Sequence, residues 1–248
     1  MEFTYDAYRA MLELLAESGY TVCDYHNYTD APRCVILRHD IDNSLSKALR
    51  LAELETDFGV KSTYFTLLRT DFYNPASASG TAFLRRIHEL GHEIGLHFDE
   101  TAYPNSSISI SELICREAEV LSSICGFPIT TVSMHRPSKA TLDADLKVPG
   151  MINSYGKIFF HDFKYLSDSR RHWREPVLDI IRDGSYDRLH ILTHAFWYNE
   201  TEEGITETVR KFICAAKHER FLHMAGNIKD IGEIINESEL FDETGANL

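Results

Sequence analysis

Apolar and polar positions along this 248-residue chain switch repeatedly between a helical period and short β-type runs. Over Tyr5–Glu17 the apolar residues Tyr8, Met11, Leu12 and Leu15 recur at helical spacing, and Gly19 closes the stretch. Positions 34–37 (Cys-Val-Ile-Leu) form a short continuous apolar run, as a buried strand does. The same reading predicts helices over 45–58, 81–90 and 110–125, stopped by Gly59, by Gly91, and by Gly126 with Pro128. It predicts strands over 62–68, 93–98, 130–135 and 189–193. Positions 140–171 read as irregular, with one strand at 157–161. A short helix over 177–182 and a longer one over 203–218 follow, and the charged residues 237–248 read as a frayed end.

Such alternation of strands and helices is the signature of parallel βαβ units, hence of an α/β fold. At this length the pattern fits one domain spanning 1–248, with an N-terminal helical region, 1–30, packed on its body. Active sites in these folds gather at the C-terminal ends of the strands. Polar residues unusual for strand ends stand there: Asp40 and Asp42, His97, His135 with Arg136, and His194. Separate strands would deliver them to one end of the sheet.

Composition narrows the function classes. A hydrophobic share of 44% supports a large core and excludes a disordered chain. The formal net charge of -13 argues against a nucleic-acid-binding surface and against docking on anionic lipid. No apolar run approaches the length of a bilayer span, so no membrane insertion is expected. The first residues, Met-Glu-Phe-Thr-Tyr-Asp, lack the basic stretch and apolar core of a signal peptide. The five cysteines are odd in number, irregularly spaced and without a C-x-x-C, which predicts reduced thiols in a cytoplasmic setting.

The densest chemistry is Arg38-His39-Asp40-Ile41-Asp42, directly after the first apolar run. Two carboxylates two residues apart on an extended chain point the same way and repel. A fold tolerates them only with a cation or a shared proton. Asp42-Asn43-Ser44 also reads as a helix N-cap, but capping needs only one of these residues. A second cluster, His88-Glu89-Leu90-Gly91-His92, matches the H-E-x-x-H pattern of zinc proteases. That chemistry needs both histidines on one helix face, whereas the predicted helix ends near Gly91. A third histidine at position 98 would extend the pattern, but Phe98 stands there.

Taken in order, the motifs resemble the polysaccharide deacetylase family, the NodB-type carbohydrate esterases. The resemblance rests on Asp40 with Asp42, on Gly91-His92-Glu93-Ile94-Gly95 followed by His97, and on Arg136-Pro137. It continues with Asp168 to Trp173 and with Leu192-Thr193-His194, so that it covers about 34–198. It implies a distorted (β/α)7 barrel. It implies a metal-dependent hydrolase that removes an N-acyl group, such as acetyl, from an amino-sugar-containing substrate, in surface polysaccharide biosynthesis or a related route. The partners implied are a carbohydrate or sugar-conjugate substrate, with no nucleic acid. The cofactor implied is a divalent metal, zinc first, with cobalt, nickel or manganese as other candidates.

Residue by residue, the resemblance implies Asp40 as general base, helped by Arg136, and Asp42 and His97 as metal ligands. His194 would be the general acid, oriented by Asp168, with Trp173 and Trp197 as walls of the substrate pocket. Two departures stand out. Ile41 separates an Asp pair that is usually adjacent, and Thr101 occupies the place of the second histidine ligand, four residues after His97. Zinc catalysis wants three protein ligands plus water. His135 is the candidate third ligand, with Asp99 and Glu100 as rivals. The alternatives are a degenerate barrel that binds glycan or metal without turnover, and a zinc protease using His88 and His92.

Overall fold

The structure, a computed structural model, describes residues 1–240. The chain divides into two compact units, Met1–Thr201 and Glu202–Leu248. In the first, α1 (Tyr5–Glu17) is followed by β1 (Thr21–Cys23), β2 (Cys34–Ile41), α2 (Leu45–Asp57), β3 (Thr63–Leu67), α3 (Ala78–Glu89) and β4 (Glu93–Asp99). Then come α4 (Ile110–Cys125), β5 (Thr131–His135), α5 (Lys139–Asp143), β6 (Ile152–Asn153), α6 (Ile158–His161), β7 (Lys164–Ser167), α7 (Val177–Asp183) and β8 (Arg188–Thr193).

The strands form one parallel sheet in the order β6-β5-β4-β3-β2-β8-β7, with β1 beside the start of β2. Among the described residues no pairing joins β6 to β7, so this is the distorted, open form of a (β/α)7 barrel. All eight residues of β2 are buried, as a strand covered on both faces requires. Val35, Leu37 and Ile41 pack in the layer shared with the helices, while Cys34 and Ile36 face Phe65, Phe159 and Phe163 in a second, inner cluster. The two-residue alternation of a strand therefore carries Arg38 and Asp40 onto the same inward face as Cys34 and Ile36.

Local sequence accounts for the helix ends. Thr4, Ser44, Ser77 and Ser109 each accept a backbone N–H from the first turn of the helix that follows. Gly91 ends the α3 region with φ +95°, a left-handed value that glycine adopts without steric cost. Gly95, on β4, serves close packing instead. A Cβ there would lie 2.5 Å from Phe65 Cε1 and 2.6 Å from Thr131 Oγ1.

One strand prediction is corrected. Positions 157–161 form helical turn α6, and the strand is Lys164–Ser167. The run Ile158-Phe159-Phe160 looks strand-like by composition, yet only Phe159 is buried, in the inner cluster. β1 and the pair Ile152–Asn153 are too short for periodicity to reveal.

The second unit holds α8 (Ile205–Asn227), longer than predicted, and 3-10 turns at Ile231–Glu233 and Glu237–Leu240. Lys211 pairs with Glu203 and Arg210 with Glu207 along its first turns. Of the predicted frayed end, 241–248 lies outside the described residues. Among the described residues no helix is long and apolar enough to cross a membrane.

Candidate active site

Four strands end on one cleft of about 780 Å³, lined among others by Asp40, Asp42, His97, His135, Arg136 and His194. Asp40 is on β2 and Asp42 just past its end. The carbonyl of Ile41 between them accepts the Tyr73 hydroxyl at 2.6 Å, and Tyr73 also accepts the Leu67 N–H at the end of β3. One tyrosine thus pins two neighbouring strand ends.

Asp42, His97 and His135 converge, each offering a donor atom within 4.8 Å of the others. Asp42 Oδ1 lies 3.3 Å from His97 Nε2 and 3.5 Å from His135 Nδ1, and the two ring nitrogens are 3.2 Å apart. Ligands held tetrahedrally by zinc at its usual bond lengths sit roughly 3.3–3.5 Å from one another. Asp42 Oδ1 is also buried without a hydrogen-bond partner, an expensive state that a cation relieves. The donor set, one carboxylate and two imidazoles, suits zinc or a similar divalent ion. Burial alone would raise the Asp42 carboxyl, but the rings of His135 and His97 outweigh it and hold it below the usual carboxylate range.

The rivals for the third ligand have other work. Asp99 accepts the N–H and hydroxyl of Thr101. Glu100 accepts the Thr141 hydroxyl at 2.5 Å and the Ser138 N–H. Asp99 closes a local turn, whereas Glu100 reaches across to the N-terminus of α5.

The cation beside Asp40 is Arg38, not Arg136. Arg38 Nε donates to Asp40 Oδ1 at 2.9 Å and Nη2 to Oδ2 at 2.8 Å, with both side chains buried. Arg38 also bonds Ser133 and lies over the Phe65 and Tyr155 rings. Burial pushes the Asp40 carboxyl up, and Arg38, then His97, pull it net below its ordinary value. Arg136 lines the cleft without pairing to Asp40. The period-two alternation that puts Arg38 and Asp40 on one face is present in the sequence.

His194 lies just past β8 and Asp168 just past β7, two strands that pair directly. His194 Nδ1 is 2.6 Å from Asp168 Oδ1, and the His194 backbone N–H donates to the same carboxylate at 3.1 Å. Nε2 of the same ring is 3.8 Å from Asp42 Oδ2. Burial draws the imidazole down, but Asp168, then Asp42 and Asp40, raise it to about 9. Trp197 lines the cleft, whereas Trp173 packs against the core.

The H-E-x-x-H reading fails on geometry. α3 ends at Glu89, before His92, and His88 stacks on Phe127 at 3.8 Å between ring centroids. His92 is buried elsewhere: Nδ1 accepts the Ser62 N–H and Nε2 donates to the Ala52 carbonyl. It belongs to a polar network around Glu55 that composition does not signal. Tyr8 and Tyr64 hydroxyls donate to Glu55 at 2.6 and 2.7 Å, Ser62 at 2.5 Å, and His39 Nε2 lies at 2.9 Å. His39 Nδ1 reaches the Thr193 hydroxyl at 2.6 Å, next to His194.

No family model matches the chain, and no curated protein matches it. The solved structures similar to it include family 4 carbohydrate esterases and deacetylases. A CE4 family pseudoenzyme from Bacillus anthracis has a TM-score of 0.44 at 16% identity, over 77% of this chain and 62% of its own. A family 4 acetyl xylan esterase from Clostridium thermocellum, solved with cobalt, has 0.42 at 17%, over 75% and 84%. The chitin deacetylase of Colletotrichum lindemuthianum has 0.43 at 16%, over 75% and 83%. The chain spans less than two thirds of the first of these, and its function rests on its own residues.

Proposed function

We propose that this protein is a metal-dependent amidohydrolase removing an N-acyl group, acetyl in the simplest case, from an amino-sugar-containing substrate. One observation carries the reading: the Asp42, His97 and His135 donor set, 3.2–3.5 Å between neighbouring atoms, beside an imidazole held by a buried carboxylate. A divalent ion held by those three residues would polarise the amide carbonyl and acidify the attacking water. Asp40, kept ionised by Arg38, accepts the water proton at Oδ2, the oxygen 3.5 Å from His97. His194, whose protonated form the Asp168 carboxylate favours, donates from Nε2 to the departing amine. Asp168 holds Nδ1–H and so fixes the ring for that transfer. Trp197 and Tyr155 line the cleft, where aromatic side chains suit a sugar. The five free thiols go with a reducing, cytoplasmic setting and so with a biosynthetic intermediate as substrate.

The test is acetate release from N-acetylglucosamine oligosaccharides and N-acetylglucosamine 1-phosphate, with zinc or cobalt loaded and Asp42→Ala as control. Release by the wild type alone supports the reading. Ligand-induced stabilisation without any acetate, at full metal loading, would instead make the barrel a non-catalytic binder.

A further inference from the structure

Arg136 and Arg170 line the cleft from the segments that follow β5 and β7. Neither makes an ion pair or hydrogen bond through its side chain among the described residues. The cleft's other arginine, Arg69, is already engaged, with Nε 2.8 Å from the Tyr103 hydroxyl and 2.9 Å from Glu117. Their backbones add to the contrast. Arg136 has φ +51° and Arg170 φ +62°, left-handed values that cost an L-residue about 1–2 kcal/mol and a glycine nothing. Two arginines held at strained positions, unpaired, on one cleft amount to an anion-binding feature.

We propose that Arg136 and Arg170 bind a phosphate on the substrate, so that the substrate is a phosphorylated amino sugar rather than a neutral glycan. Guanidinium forks match phosphate oxygens two at a time, and Arg136 and Arg170 line the same cleft. The inference rests on the proposed function only for the sugar. The anion site stands on the arginines.

Calorimetric titration of the metal-free, full-length protein tests it, comparing N-acetylglucosamine 1-phosphate, N-acetylglucosamine and N-acetylmuramic acid, which carries a carboxylate. The phosphorylated sugar should bind at least about tenfold tighter than the neutral one. Arg136→Gln and Arg170→Gln should each weaken it about tenfold, and added salt should weaken it further. Arg116→Gln, on α4 and paired with Glu112, should leave it unchanged. Equal affinities, no binding of the phosphorylated sugar, tighter binding of the carboxylate sugar, or full affinity in both arginine variants would each overturn the proposal. Acetate release is read separately on metal-loaded samples. Phosphate-dependent binding without acetate leaves this inference standing and removes the hydrolase reading, and the converse result does the opposite.

Discussion

Arg38 grips both carboxylate oxygens of Asp40 from two residues earlier on the same strand, at 2.9 and 2.8 Å, with neither side chain more than 5% exposed. The barrel interior thus carries its own counter-ion for the first of the two carboxylates. Removing only the cation strands a buried charge. Arg38→Met should cost about 3–5 kcal/mol in urea denaturation. Adding Asp40→Asn should recover a large part of that loss. An additive double mutant would show the pair to be uncoupled.

The proposed metal would take the second carboxylate, Asp42. Asp42→Ala, His97→Ala and His135→Ala should each lose bound zinc in elemental analysis and lose the zinc-induced rise in Tm. Thr101→Ala should keep both, since Thr101 is bonded to Asp99 instead. Metal retained by the His135 variant would return the third-ligand position to Asp99 or Glu100.

The His194–Asp168 pair makes the metal-free protein sensitive to alkali. His194 rises from 6.5 to about 9 because Asp168, Asp42 and Asp40 overcome burial. A raised imidazole contributes stability that is fully present below pH 6.5 and is lost as pH climbs through 9. The contribution is on the order of 3 kcal/mol. NMR titration of the ring in wild type and Asp168→Asn checks it, with the variant titrating markedly lower.

Glu55 works in the opposite direction. Burial pushes its carboxyl up, but His39, then His92 and Ser62, bring it down from 4.5 to about 2. Its stabilisation is present above pH 4.5 and disappears as pH falls toward 2. Glu55→Gln should flatten that acid limb of the stability curve and cost a few kcal/mol at pH 7. An unchanged acid limb would remove Glu55 as its source.

Gly95→Ala should destabilise by about 1–3 kcal/mol through overlap with Phe65 and Thr131 rather than through backbone strain. Combining it with Phe65→Leu should relieve part of the cost, measured as a double-mutant cycle.

Much of this was legible in the sequence. Long periodic segments such as Tyr5–Glu17 and Ile110–Cys125 match the predicted helices, because their amphipathic stripes decide them locally. The residues at strand ends were legible too, because parallel β/α order sends those ends to one side. Asp42, His97 and His135 meet for that reason. The errors came where an element is short or where pairing is long-range. Positions 157–161 resemble a strand in sequence because a four-residue helical turn has no period to display.

By itself, then, the sequence determined the α/β order and the set of strand-end residues available for chemistry. Only the tertiary structure decided which of them are partners. Arg38 rather than Arg136 neutralises Asp40, His92 joins Glu55 rather than a metal, and Arg136 and Arg170 are left unpaired. Ion-pair distances depend on how strands stagger and which loops approach, and neither quantity is encoded in local spacing.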